Sequence, residues 1–198
     1  MSDLASRFGA IDIYLFDQLL RGNLRPGMAV LDAGCGKGRN LIHFLREGYD
    51  VRGCDPDPRS IAAVRALAPG LSPDRFRVEP VEASTFPEAS ADVVLSIAVL
   101  HFAKDPEHFT AMLQGSWRLL KPGGLFFCRL ASLIGMDSRC QAIGSGRYRL
   151  PDGTDRFLVD EAQLLALTAE LGGTLVDPLK TTLVQGLRAM TTWVMQKG

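Results

Sequence analysis

The chain has 198 residues, of which 46% are hydrophobic and 22% charged, a composition typical of a globular protein with a full core. This length predicts one domain over residues 1–198. Lysine plus arginine equals aspartate plus glutamate at 22 each, so no general attraction to nucleic acid or to an anionic membrane is expected. No apolar run reaches the ~20 residues of a membrane-spanning helix, and the N-terminus lacks a signal-peptide core. These features predict a cytoplasmic protein.

A glycine-rich turn follows the first predicted strand, which begins near residue 28 and ends at Asp32. Gly34, Gly36 and Gly38 alternate with other residues, as where a backbone approaches a ligand closely. Apolar residues at helical spacing follow over 41–45. A dinucleotide-binding turn would need a third glycine at the position of Arg39, so that spacing is absent. The turn alone leaves open a nucleotide-like site or a surface turn without a ligand.

Strands and helices alternate along the rest of the chain. Further strands are predicted over residues 49–55, 75–79, 92–100 and 125–130, and in a final pair near 179–183 and 188–195. Helices are predicted to begin after the capping residues Asp57, Asp105 and Asp160. The turn 121–124 is expected to stop the helix before the fifth strand. This alternation predicts a doubly wound, seven-stranded and mostly parallel Rossmann-like α/β sheet with ligands at its carboxyl edge. The final pair is joined too tightly for a crossover, so one of its strands must be antiparallel.

A second acidic residue lies at the same predicted edge. Asp55 ends the second strand, about 20 residues beyond Asp32, a position from which a carboxylate accepts hydrogen bonds from the hydroxyls of a ribose. Adjacent parallel strands end side by side, which brings the two acids together. The alternative is a plain turn residue, because the following Pro56, Asp57 and Pro58 are loop formers.

Four segments in this order resemble the motifs of class I S-adenosylmethionine-dependent methyltransferases. They are residues 32–38, Asp55, residues 81–96 and residues 121–125. The resemblance covers about residues 26–131 and implies an antiparallel last strand and S-adenosylmethionine as the cofactor. It implies cofactor binding by Asp32, Gly34, Cys35, Gly36, Gly38, Asn40, Asp55, Pro56, Glu82, Ala83 and Ser96.

Two details qualify this resemblance. The family more often has aspartate where this chain has Glu82, for which a solvated loop carboxylate is the alternative. Residues 38–40 and 48–51 also look like tellurite-resistance and thiopurine-type methyltransferases, which suggests a small or chalcogen acceptor. The chain lacks the Asn/Asp-Pro-Pro-aromatic and Pro-Cys motifs of nucleic-acid methylases after the fourth strand, so a small-molecule acceptor is favoured.

The candidate catalytic residue is His101, just past the fourth strand. Methyl transfer is an in-line displacement that mainly requires alignment and exclusion of water, and a hydroxyl or thiol acceptor also needs a base. A packing or capping histidine is the alternative. Tyr14, His101, Arg147 and Tyr148 are the candidate acceptor-binding residues.

Two segments outside the motifs are expected to border the site. Residues 1–25 are predicted to form a lid helix, with an amphipathic helix that merely covers the core as the alternative. Residues 132–158 are predicted to be a long, arginine-containing loop inserted near the site, with a solvated charged loop as the alternative. No metal site is expected, because Cys35, Cys54, Cys128 and Cys140 form no C-x-x-C pair.

The predicted function is therefore S-adenosylmethionine-dependent methyl transfer to a small molecule. Two alternatives remain open at this point. One is a non-catalytic S-adenosylmethionine-binding protein, because binding motifs are more visible than catalytic ones. The other is an NAD-dependent oxidoreductase, which Arg39 and the missing third glycine disfavour.

Overall fold

The structure is a computed structural model that describes residues 3–198, with side chains from residue 4 onward. The α-helices are α1 (Asp3–Phe8), α2 (Ile13–Leu20), α3 (Ile42–Arg46), α4 (Pro58–Leu67), α5 (Pro106–Leu119) and α6 (Glu161–Glu170). The strands are β1 (Ala29–Ala33), β2 (Asp50–Asp55), β3 (Phe76–Val78), β4 (Ala91–Ile97), β5 (Leu120–Ala131), β6 (Gln141–Gly144), β7 (Arg147–Arg149), β8 (Asp155–Phe157), β9 (Gly173–Leu175), β10 (Lys180–Val184) and β11 (Arg188–Lys197).

The main sheet has the predicted topology. Its strands lie in the order β10-β11-β5-β4-β1-β2-β3, and the last strand in the chain, β11, runs antiparallel to β5 and β10. The short strand β9 pairs with β11 and makes the sheet eight-stranded rather than seven-stranded. Parallel pairing of β1 with β2 and β4 brings the carboxyl ends of these strands to one edge. The doubly wound α/β prediction is confirmed.

The local sequence explains where the main helices begin. The side chains of Asp57, Asp105 and Asp160 each accept a hydrogen bond from a backbone N–H of the first turn of α4, α5 and α6. Gln163 completes the predicted capping box of α6. Strand β1 is buried at every position and β4 at nearly every position, as expected for central parallel strands covered on both faces.

The turn at residues 121–124 differs from its prediction. Helix α5 ends at Leu119, and the following residues belong to the long strand β5. Ala91 pairs with Leu120 and Val93 with Leu125, so the four residues between them bulge out of the ladder. The segment therefore offsets the register of β5 instead of separating a helix from a strand.

Residues 132–158 do not form the predicted loop. Strands β6, β7 and β8 make a separate three-stranded antiparallel sheet, joined to the body by a bridge between Ser132 and Val159. Leu150 and Leu158 of this segment pack with Ala131 in a small apolar cluster. The segment is an ordered subdomain of the structure.

The N-terminal segment is divided into two helices instead of one. Residues 1 and 2 of the predicted lid lie outside the described residues. Helix α2 is attached to the last part of the sheet, because Tyr14 Oη lies 2.6 Å from Thr182 Oγ1 and buried Gln18 Nε2 donates to Asp177 Oδ2 at 2.8 Å. Its apolar face covers the core, as in the alternative interpretation. Within the described residues, no helix is both long and apolar enough to cross a membrane.

Candidate active site

A cavity of about 290 Å³ opens at the carboxyl edge, between the ends of β1, β2 and β4 and helix α5. Its lining includes the glycine Gly34, the apolar residues Pro56, Val99 and Met112, and the acidic residues Asp55 and Glu82. We refer to it as the first cavity. Four of these residues, namely Gly34, Asp55, Pro56 and Glu82, were predicted from the sequence, whereas Val99 and Met112 were not.

Asp55 is an acidic residue of the first cavity whose two carboxylate oxygens are both held by backbone hydrogen bonds. Its Oδ2 accepts a hydrogen bond from the backbone N–H of Gly36 at 2.9 Å, and its Oδ1 accepts one from the N–H of Asp57 at 2.9 Å. Each carboxylate oxygen has about two acceptor positions, so one remains on each oxygen for a ligand. The backbone thus fixes the orientation of an acceptor pair at the tip of β2.

The three predicted glycines have different structural roles. Gly34 has φ +89°, and a Cβ built there would lie 2.4 Å from Val99 Cγ2. Gly38 has φ +80°, and its Cβ would lie 2.7 Å from Val64 of α4, so this glycine permits packing away from the first cavity. Gly36 contributes its N–H to Asp55. Gly34 alone of the three lines the first cavity.

Asp32 is a buried carboxyl at the tip of β1, with 1% exposure. Burial raises the pKa of Asp32 to about 7, the charge of Arg39 opposes this rise, and the charge of Asp55 adds to it. Its Oδ2 has no hydrogen-bond partner among the described residues. A buried polar atom without a partner is costly, so this oxygen is suited to a polar ligand group or an ordered water.

Cys35, Asn40 and Ser96 do not line the first cavity. The Cys35 side chain belongs to the apolar core and packs against Gly53. A Cβ added to Gly53 would lie 3.0 Å from the Cβ of Cys35. Asn40 Oδ1 accepts a hydrogen bond from the Asp12 N–H at 3.0 Å. Ser96 is fully buried inside β4. The side chains of Cys35 and Asn40 thus contribute to core packing and to the attachment of the N-terminal segment, and cofactor binding by these three residues stays a prediction.

Of the predicted neighbours Glu82 and Ala83, only Glu82 contributes to the first cavity. Glu82 lines the first cavity, where its Oε1 lies 3.1 Å from Nε2 of His108. The Ala83 N–H is used within the chain, because it donates to the Pro80 carbonyl at 3.1 Å. Ala83 does not line the cavity. This backbone bond occupies the one hydrogen-bond donor that Ala83 could offer to a cofactor.

A second cavity of about 370 Å³ adjoins the first, and Ala98 and Phe102 line both. His101, the candidate catalytic residue, lines this second cavity. Its Nδ1 accepts a hydrogen bond from the Ala131 N–H at 3.0 Å, and burial together with the charge of Arg156 lowers its pKa to about 4. A neutral imidazole in this arrangement carries its proton on Nε2. The expected general base therefore has no free basic nitrogen here, and His101 is a hydrogen-bond donor.

The other predicted acceptor-binding residues do not line the second cavity. Tyr14 is bonded to Thr182, and its ring lies 5.2 Å from the guanidinium carbon of Arg129. Arg147 and Tyr148 lie in the small sheet, where Tyr148 packs on the cluster around Leu150. The charged residues of this lining are instead Arg39, Arg129, Asp152, Arg156 and Arg188. They come from distant parts of the chain, and no local sequence pattern joins them.

Metal ions are bound in proteins by groups of His, Cys, Asp and Glu side chains. Within the described part of the chain, no group of three or more His, Cys, Asp or Glu side chains is placed to hold a metal ion. All four cysteines are unpaired, and all but Cys140 are buried.

Comparison with known proteins agrees with this architecture. Residues 31–128 match the family described as a methyltransferase domain. The chain is 38% identical over 168 residues to a ubiquinone biosynthesis O-methyltransferase of Methylocella silvestris, covering 78% of this chain and 64% of that protein. The chain thus spans less than two thirds of the length of the curated relatives it matches.

Solved structures share the fold at lower identity. A structure of a SAM-dependent methyltransferase from Methanosarcina mazei superimposes with a TM-score of 0.73 at 20% identity, covering 90% of this chain and 96% of that one. The 1,6-didemethyltoxoflavin-N1-methyltransferase of Burkholderia thailandensis, solved with bound 1,6-didemethyltoxoflavin and S-adenosylhomocysteine, gives a TM-score of 0.71 at 23% identity, covering 98% of this chain and 81% of that one. The fold of this chain is therefore shared with proteins of that type.

Proposed function

The chain belongs to the class I S-adenosylmethionine-dependent methyltransferases, and from this premise we propose that it transfers a methyl group from S-adenosylmethionine to a small-molecule acceptor. The observation that carries the proposal is the orientation of Asp55 by two backbone N–H groups at the first cavity. The adjoining second cavity provides a separate space for an acceptor. Two connected cavities suit a reaction between two bound molecules.

The residues of the first cavity fit this cofactor. Asp55 offers two fixed acceptors for ribose hydroxyls, and Gly34 leaves room that a side chain would fill. Asp32, at the tip of the neighbouring strand, is not part of the lining, and its buried Oδ2 has no partner among the described residues. Glu82 and Pro56 lie in the same lining. When bound, the cofactor supplies a sulfonium methyl group to a nucleophile.

The chain's own residues would act mainly by positioning the acceptor and excluding water. His101 would donate a hydrogen bond through Nε2. Asp152 is a weak base, because hydrogen bonds from Thr154 and the charges of Arg188 and Arg156 lower its pKa against the effect of partial burial. The second cavity therefore favours an acceptor atom that is already deprotonated, rather than one activated by a protein base.

The test of this function is product formation and binding. The protein is incubated with S-adenosylmethionine and a panel of phenols, thiols, amines and carboxylic acids, and S-adenosylhomocysteine is quantified. Transfer to any acceptor supports the proposal. Tight binding of S-adenosylhomocysteine without product from any acceptor would favour the non-catalytic binding protein. Stabilisation by NAD and none by S-adenosylhomocysteine would favour the oxidoreductase.

Replacing Asp55 tests the first cavity directly. Asp55→Ala removes both acceptors, and we expect a 10- to 100-fold loss of S-adenosylhomocysteine affinity by isothermal titration calorimetry, since hydrogen bonds to charged groups contribute about 1.5–3 kcal/mol. Asp74→Ala is the matched control, because this exposed carboxylate lies outside the cavity. Unchanged affinity in Asp55→Ala would contradict the assignment.

A further inference from the structure

We propose that the second cavity binds acceptors that carry a carboxylate, so that the substrates are small organic acids rather than neutral molecules. This rests on the proposed methyl transfer and specifies its substrate class. The argument starts from the concentration of positive charge around one cavity of a chain whose formal net charge is zero.

Four arginines and a single carboxylate, that of Asp152, line the second cavity. The arginines lie in separate elements: Arg39 after the glycine turn, Arg129 in β5, Arg156 in β8 and Arg188 at the start of β11. Their convergence is produced by the tertiary fold. A low-dielectric cavity lined by one sign of charge raises the local concentration of ligands of the opposite sign.

Internal ion pairs neutralise only part of this charge. Arg129 Nη1 donates to buried Asp12 Oδ2 at 2.8 Å, and Arg188 Nη1 lies 3.8 Å from Asp152 Oδ2. Arg39 and Arg156 make no ion pair within 4.0 Å among the described residues. Arg156 Nη1 donates to the Asp155 backbone carbonyl, and its guanidinium carbon lies 4.9 Å from the Phe102 ring centre. Two guanidinium groups are therefore left to meet an anion.

The rest of the lining suits an organic body attached to that anion. Phe102, Leu150 and Met190 supply apolar surface, and the volume is that of a small-molecule site. Guanidinium groups bind carboxylates through two parallel hydrogen bonds, which orients the ligand as well as attracting it. Neutral His101 adds a hydrogen-bond donor to the lining of the second cavity.

The experiment compares acids with their uncharged amides at equal shape. The probes are benzoate and benzamide, 3,4-dihydroxybenzoate and 3,4-dihydroxybenzamide, and indole-3-acetate and indole-3-acetamide. Binding to the protein saturated with S-adenosylhomocysteine is measured by calorimetry. We expect at least one acid to bind ten times more tightly than its amide. Binding of no acid, or equal binding of each pair, would overturn the proposal.

Variants connect the preference to the cavity. Arg39→Gln and Arg156→Gln should each reduce the acid-to-amide affinity ratio at least fivefold. In Arg156→Gln the S-adenosylhomocysteine affinity should change less than twofold. Arg149→Gln is the matched control, since Arg149 pairs with Asp155 and lies outside the cavity. A ratio unchanged in both cavity variants would overturn the proposal. If S-adenosylhomocysteine fails to bind, the proposed function fails instead, and the ratio is measured on the free protein.

Discussion

Gly34 shows how one residue adapts the sheet edge to a ligand. It combines a positive φ of +89° with a contact to Val99 that leaves no room for a Cβ. Gly48 has a similar φ of +77°, but an added Cβ would meet no atom within 4 Å. Comparing substitutions at these two glycines therefore separates the destabilisation caused by left-handed backbone from the destabilisation caused by a steric clash.

Replacing these two glycines measures both costs. Gly48→Ala should lower the free energy of unfolding by about 1–2 kcal/mol, the cost of a left-handed L-residue. Gly34→Ala should cost more, because Val99 must also move, and it should reduce S-adenosylhomocysteine affinity at least tenfold. Urea denaturation and calorimetry check these values. Equal destabilisation with unchanged affinity in both variants would show that the Val99 contact has no role in the first cavity.

His101 makes the stability of the protein depend on pH. Its pKa is about 4 in the folded protein against an ordinary value of 6.5, because burial and Arg156 disfavour the charged ring. Between these values the unfolded chain binds a proton that the folded protein does not. The contribution of His101 to stability is therefore full above pH 6.5 and is lost as pH falls toward 4.

His101→Asn tests this linkage, since asparagine offers an acceptor to the Ala131 N–H without titrating. At pH 8 the variant should be less stable than the wild type because it fills less of the site. By pH 4.5 the difference should change by about 2–3 kcal/mol in favour of the variant. Urea denaturation across pH 4.5–8 measures it. A difference that stays constant with pH would mean that His101 titrates normally in the fold.

Among the secondary-structure elements, the small sheet of β6, β7 and β8 and its turns form one wall of the second cavity. Arg156 of β8 and Leu150, Asp152 and Thr154 of the preceding turn form part of its lining. Gly146, in the tight connection between β6 and β7, has φ +71°, and a Cβ there would lie 2.4 Å from Phe157. Phe157 in turn stacks on Phe109 of α5 at 4.8 Å between ring centres. The sheet is thereby fixed to the body of the protein.

Gly146→Ala should loosen this attachment. The new methyl group displaces Phe157, so hydrogen–deuterium exchange over residues 141–157 should become at least tenfold faster. Gly153→Ala is the matched control, because Gly153, in the turn between β7 and β8, has φ +81° but no atom within 4 Å of its Cβ position. Equal exchange in the two variants would show that Phe157 does not hold the sheet in place.

The elements also show what the sequence could predict. Central strands such as β4 are largely apolar, and aspartate caps mark α4, α5 and α6, so local signals identified them. Strand β6 is exposed at every position and gave no periodic signal. The tips of β1 and β2 predicted Asp32 and Asp55, because parallel strands end together. The arginines of the second cavity come from four distant positions and depend on tertiary contacts that no spacing encodes.

At the scale of the whole molecule, polar contacts join the two ends of the chain. Buried Asp12 accepts from Arg129 through Oδ2 and caps α2 through Oδ1, which accepts from the Tyr14 N–H. Asp177 accepts from Gln18 and Arg21. These bonds span 117 to 159 residues of sequence, so helix α2 docks only when β5 and the segment between β9 and β10 are in place. Folding of the domain should therefore be cooperative from end to end.

Asp12→Asn tests this coupling. Asparagine keeps the cap but faces the Arg129 guanidinium, which is only 20% exposed, with an uncharged amide. We expect a loss of about 2–3 kcal/mol in the free energy of unfolding, toward the lower end of the cost of breaking a buried pair. Asp17→Asn is the matched control, because Asp17 is 42% exposed and its ion pairs lie at 3.5 and 3.8 Å, so it should cost less than about 0.5 kcal/mol. Circular dichroism and the fluorescence of core Trp117 and Trp193 should report one coincident urea transition in both variants. Separate transitions in Asp12→Asn would mean that the N-terminal helices unfold independently, and that the contacts between the chain ends add stability without making folding cooperative.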